Sequence, residues 1–170
     1  MKELLLLGLL LDGKKHGYQL NESYKHSFSM YADLKRSTAY YTLNKLEKDG
    51  YVIHENEREG NRPERRVYEL TENGQAHFFY LLRWNLSDYS RTYYDDDVGI
   101  AFMNELSKQE VNNLLSEKQK KTQAALKLYQ DHLEIVTDGS WQYVIEHNIV
   151  HLEAEVNWLA KVQADLVKTS

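Results

Sequence analysis

The 170-residue sequence predicts a mainly α-helical protein with one small β-hairpin, the wing, in its N-terminal half. Three observations carry this. The chain holds 1 proline and 8 glycines, too few breakers for a loop-rich fold. Apolar residues recur at steps of three and four over several long stretches, the spacing of one helix face. Between two of those stretches, Tyr51 to Leu70 reads as strand, turn, strand.

Residues 3–11 are apolar nearly all round and suit a buried first helix that ends near Asp12-Gly13. Residues 16–28 read as a second helix, with Tyr18, Leu20, Tyr24 and Phe28 as candidate buried positions. A third helix follows the basic pair Lys35-Arg36. Ser37 or Thr38 is placed to cap its start, because a hydroxyl satisfies free backbone N–H groups there. Ala39, Leu43 and Leu46 form its apolar stripe, and Gly50 ends it. Ser37, Thr38, Tyr41, Asn44, Lys45 and Lys48 point the other way, with Tyr40 and Glu47 on the flank. Tyr51-Val52-Ile53 begins one strand and Val67-Tyr68-Glu69-Leu70 ends another. Gly60, Asn61 and Pro63 are turn residues between them. Arg58, Arg62, Arg65 and Arg66 gather around this turn, interleaved with Glu55, Glu57, Glu59 and Glu64. Thr71 opens a fourth helix that reaches Trp84.

Residues 86–97 read as a connection. Asp95, Asp96 and Asp97 complement the positive end of a short helix starting near Val98. Ser107 and Glu110 have capping-box spacing, and a long helix runs from Val111 to Val136. Asp138-Gly139 breaks it. A second long helix extends from Trp141 through Ile145, Leu152, Val156, Leu159 and Leu166, whose spacing makes a continuous seam. Two long antiparallel helices carry more apolar surface than so small a domain covers, which predicts a partner subunit along Ile145, Leu152, Val156 and Leu159.

Composition excludes several classes. With 42% hydrophobic and 28% charged residues the chain is not disordered. Without cysteine it has no disulfide framework and no thiolate metal site. The apolar run Leu4 to Leu11 is too short to span a bilayer and lacks a cleavage-like sequel, so a cytoplasmic protein without a membrane partner is expected. No nucleophile elbow, Gly-rich phosphate loop or acid/base pair is found, so neither an enzyme nor a cofactor is expected. His147, His151 and Glu155 share one helix face at steps of four, a spacing at which imidazoles can share a metal. They lack the HExxH pattern and lie beside the apolar seam, so no metal site is assigned. Net charge is −5, and it is uneven: residues 1–83 carry +1 and residues 84–170 carry −6. The acidic half is an unlikely DNA surface, whereas the first half can bind phosphates where its cations cluster.

Helix, helix, helix, strand, basic turn, strand is the winged helix-turn-helix plan. A helix fits the major groove, and a wing reaches phosphates or the minor groove. The expected contacts to duplex DNA are Lys35, Arg36, Ser37, Thr38, Tyr40, Tyr41, Asn44 and Lys45 on the third helix, with Arg62 and Arg65 on the wing. For Tyr40 the sequence leaves two roles open, a phosphate contact or packing against the first helix. Tyr18 reads as a packing residue.

His16-Gly17-Tyr18-Gln19-Leu20 resembles the HGYEL-type segment of PadR-family transcriptional regulators. Thr38, Tyr40, Leu43, Leu46, Glu47, Gly50 and Val52 fall on that family's T-x-Y-x-x-L-x-x-L-E-x-x-G-x-V pattern, and Leu70-Thr71-Glu72-Asn73-Gly74 resembles its L-T-E-x-G segment. Two departures, Ser37 in place of a common glycine and Tyr41 in place of a common proline, bear on how the helix enters DNA and on its sequence preference. The resemblance covers about residues 4–85, and over residues 86–170 it is architectural. It implies a winged-helix DNA-binding domain (1–85), a helical dimerisation and effector domain (86–170), and a homodimeric repressor of an operator released by a small aromatic or phenolic ligand. Trp84, Trp141 and Trp158 are the candidate ligand residues. Two alternatives are a MarR-like regulator, which usually places a dimerisation helix before its winged helix, and a winged helix that binds protein instead of DNA.

Overall fold

Leucine density decides the first element. Lys2–Leu9 form α1, and Leu6, Leu7, Leu9 and Leu10 are buried while Leu11 turns to solvent. The computed structural model describes residues 1–29, 34–58, 64–136 and 139–168. It divides into two compact units, residues 1–91 and 92–170.

In the first unit, β1 (Lys15–His16) leads directly into α2 (Gly17–Ser27), and α3 spans Arg36–Lys48. The leucines of α1 meet Leu20 of α2, Leu34, and Leu43 and Leu46 of α3. Val52 and Tyr68 close this core from the sheet, both with no exposed surface. Each such side chain removed from water contributes roughly 1.5–3 kcal/mol. Strands β2 (Val52–Glu57) and β3 (Arg65–Leu70) pair antiparallel from Val52 opposite Leu70 to Glu57 opposite Arg65. β1 adds to the other edge of β3, giving a three-stranded sheet in the order β1-β3-β2.

The root of this hairpin is tied to its neighbours. The Thr71 hydroxyl donates to the Gly50 carbonyl at 2.8 Å and accepts the Gly74 N–H at 3.0 Å, capping α4 (Glu72–Ser87). The Thr71 N–H goes to the Tyr51 carbonyl, and the Tyr51 N–H to the Leu46 carbonyl. Gly74 packs so closely that a Cβ there would lie 1.9 Å from the Tyr51 carbonyl oxygen.

The second unit holds α5 (Asp96–Ala101), a short 3-10 turn at Met103–Glu105, α6 (Lys108–Leu133) and α7 (Gly139–Lys168). The Ser107 hydroxyl caps α6 by accepting the Glu110 N–H. The two long helices are antiparallel. Ser116 donates to Gln163 at 2.7 Å, and Gln119, further along α6, donates to the carbonyl of Val156, further back on α7. Val111, Leu115 and Leu159 form the apolar cluster between them, flanked by Val162 and Leu166.

The mainly helical fold with a small wing, read from the sequence, is the fold observed. Details differ. The cap of α3 is Lys35, with no side-chain hydrogen bond, so Ser37 and Thr38 lie within the first turn. Tyr18 is 49% exposed and is not a core residue, because its ring serves Arg65 instead. Helix α6 ends at Leu133, before Val136. Strand β1 was not foreseen, since two residues carry no periodicity of their own.

Candidate nucleic-acid interface

Helix α3 buries Thr42, Leu43 and Leu46 and leaves its opposite face open. Lys35, Arg36, Ser37, Tyr41, Asn44 and Lys45 are exposed, and Thr38 and Tyr40 are half-buried. Tyr41 is the most prominent apolar body on this face, at 73% exposure. Thr38 is used locally, its carbonyl accepting the Thr42 hydroxyl at 2.8 Å.

Tyr40 lies against the start of α2, and it lines a small cavity together with Leu6 of α1. A Cβ at Gly17 would stand 2.8 Å from the Tyr40 hydroxyl oxygen. This close approach gives the glycine of the His16-Gly17-Tyr18 segment its physical reason. The Arg36 guanidinium sits 5.7 Å above the Tyr40 ring. From the sheet, Arg65 sits 5.5 Å above the Tyr18 ring, which stacks on His16. Arg66 donates to the Asn44 side-chain oxygen at 3.3 Å, joining the wing to α3. Arg62 lies outside the described residues.

The cations of this unit divide into two groups. Lys14 is paired with Glu69 at 2.9 Å and Glu55 at 3.7 Å. Lys45 is paired with Glu3 of α1 at 2.7 Å. The Lys45 hydrogen bond, against partial burial, holds the Glu3 carboxyl below its ordinary range, and the same bond raises Lys45. By contrast, Arg36, Arg65 and Arg66 make no ion pair among the described residues, being held by rings and an amide. Guanidiniums fixed in place but not neutralised are suited to an incoming anion. Sequence spacing could not separate these groups, because the partner of Lys45 is 42 residues away. It names Arg66 among the turn arginines but not its tie to Asn44, which is tertiary.

The other candidates fall as follows. Trp84 is half-exposed on α4 in the first unit. In the second, Trp141 is half-buried, and Trp158 carries the Lys118 ammonium 5.9 Å from its ring centre. Lys118 also bonds Asp96 and Glu155, each at 2.8 Å. Burial opposes its charge, but those two bonds outweigh burial and raise it. Glu155 is thus committed to Lys118. His147 and His151 approach each other at 3.0 Å through their Nε2 atoms. No group of three metal-ligating side chains occurs among the described residues. Ile145 and Leu159 are fully buried, whereas Leu152 and Val156 keep partial exposure. No helix among the described residues is long and apolar enough to cross a membrane.

Three helices with a polar, exposed third helix and an adjoining arginine-bearing β-hairpin define a winged helix-turn-helix, a DNA-binding class of fold. Residues 6–79 match the transcriptional regulator PadR-like family. No curated protein matches the chain significantly. Among solved structures, Bacillus subtilis PadR in complex with operator DNA is similar at a TM-score of 0.81 and 23% identity, covering 96% of this chain and 98% of that one. The same protein in complex with p-coumaric acid gives 0.74 at 22% identity, covering 96% and 94%. The Vibrio cholerae virulence activator AphA gives 0.76 at 15% identity, covering 100% of both chains. At these identities the likeness is one of fold.

Proposed function

We propose that this chain is a cytoplasmic, homodimeric transcriptional repressor that binds a duplex operator through α3 and the wing. The observation that carries the reading is the set of guanidiniums at Arg36, Arg65 and Arg66, fixed beside the open face of α3 and without carboxylate partners among the described residues. Phosphate contacts from such groups supply salt-dependent affinity, while Ser37, Thr38, Tyr41 and Asn44 stand where base edges are read. Dimerisation through the C-terminal helices would present two α3 helices to successive major grooves. The operator-bound relative of the same fold supports this reading. The relative bound to p-coumaric acid supports release by an aromatic ligand, with Trp84 on α4 and Trp141 and Trp158 in the second unit as its candidate contacts.

A salt-dependent shift assay with the full chain tests the reading. Arg65→Ala should weaken operator and random duplex alike and lower the salt slope by about one. Tyr41→Ala or Asn44→Ala should instead change the operator-to-random ratio, by about 1–3 kcal/mol for a base contact. Binding with no salt slope would sink the DNA assignment and favour a protein-interaction module.

A further inference from the structure

Between the start of α2 and strand β3 lies a cleft of about 600 Å³. Arg36, Arg65 and Arg66 line it together with Gly17, Tyr40 and Tyr68, and Glu64 is its one carboxylate among the described residues. Tyr68 has no exposed surface, yet its hydroxyl has no hydrogen-bond partner among the described residues. The Arg66 guanidinium lies beside this hydroxyl and also bonds the Asn44 side-chain oxygen. A buried hydroxyl left without a partner is unfavourable, so its place in this cleft needs an explanation. The main-chain N–H of His16 is taken by Gln19 at 2.7 Å, and Gly17, the first residue of α2, lines the cleft wall. Burial pushes the Tyr68 hydroxyl above its ordinary range, so at neutral pH it is a donor.

We propose that this cleft is a seat for one phosphate-class oxyanion, held by the guanidiniums of Arg36, Arg65 and Arg66, with the Tyr68 hydroxyl as an inner donor. The four groups that hold the anion are all donors, and the rings of Tyr18 and Tyr40 hold two of the guanidiniums without neutralising them. Such a cleft selects charge and oxygen geometry over apolar shape. The inference rests on the DNA reading for one source of the anion, a backbone phosphate. A free phosphate has the same chemistry and is the other source.

The test titrates the full-length protein with inorganic phosphate at constant ionic strength, followed by phosphorus NMR, for wild type, Tyr68→Phe and Arg65→Ala. Saturable binding is expected, weakened about tenfold by loss of one hydrogen bond to a charged group in Tyr68→Phe. The thermal midpoint of Tyr68→Phe should stay level or rise, since the change removes an unpaired polar atom, and this separates a binding role from a structural one. Duplexes carrying single neutral methylphosphonate linkages identify the source. If DNA fills the seat, phosphate competes with duplex, and one neutral linkage weakens wild type but adds nothing in Tyr68→Phe. If phosphate and duplex bind together without coupling, the seat belongs to a free anion. Absence of saturable phosphate binding, with Tyr68→Phe binding duplex as wild type does, overturns the proposal while leaving salt-dependent DNA binding intact. Phosphate binding with no duplex binding would retain the seat and remove the DNA reading alone.

Discussion

The Tyr40 hydroxyl occupies the space that a side chain at residue 17 would need, 2.8 Å from the Cβ position of Gly17. The contact fixes the start of α2 against the middle of α3, and with it the ring on which Arg36 rests. Gly17→Ala should therefore displace Tyr40 and cost about 1–3 kcal/mol, as overpacking typically does. Tyr40→Phe, which removes the nearest atom, should recover part of that loss in the double variant. Urea unfolding of the two single variants and the double variant measures the coupling; simple additivity would show that the contact does not govern this packing.

Two glycines on helices predict opposite outcomes. At Gly74 a methyl group would collide with the Tyr51 carbonyl, which is backbone and has little room to retreat. Gly74→Ala should destabilise by about 3 kcal/mol or more and slacken the wing. At Gly99 of α5 nothing lies within 4 Å of a Cβ, and Gly99→Ala should stabilise by about 0.4–1 kcal/mol. Thermal unfolding checks both, and an equal response at the two positions would contradict the packing described.

Lys45 reads as a DNA contact in the sequence, yet the fold gives its charge to Glu3. Glu3→Gln should release it, raising duplex affinity and steepening the salt slope by up to about one. Because the Glu3 pKa is lowered on folding, its stabilising contribution is present above its unfolded value and is lost as pH falls through the lower folded value. The stability difference between wild type and Glu3→Gln should accordingly shrink on acidification below the ordinary carboxylate range. A difference that stayed constant down to low pH would mean the pair contributes nothing through charge.

On α7, burial separates two kinds of seam residue. Leu159 has no exposed surface, so Leu159→Ala should cost about 2–5 kcal/mol of folding stability. Leu152 keeps partial exposure, and Leu152→Glu should shift a dimer towards monomer. Sedimentation at several protein concentrations, with unfolding measured in parallel, distinguishes the two. A Leu152→Glu protein that stayed fully dimeric would exclude this face from the interface.

Much of the fold was legible because its signals are local. The Leu43 and Leu46 stripe, the Thr71 and Ser107 caps and the long seams on α6 and α7 are each written within a few turns of chain. What escaped was tertiary. Strand β1 exists only by pairing with β3. Tyr18 counts as apolar in any periodicity, but a tyrosine ring can also serve as an exposed platform for a guanidinium. The exposed face of α3 was readable residue by residue. Which of its cations are already compensated was not, since Glu3 reaches Lys45 from another helix. Asn44 likewise shows its tie to Arg66 only once the sheet has formed.

The hydrogen bonds around Thr71 make a welded joint of three members: the end of α3, the root of the wing and the first turn of α4. Such a joint ties the three elements into one unit. A tilt applied along α4 would therefore carry α3 and the hairpin with it, like a rudder and its post. Regulation arriving by that route would alter where the whole reading head points.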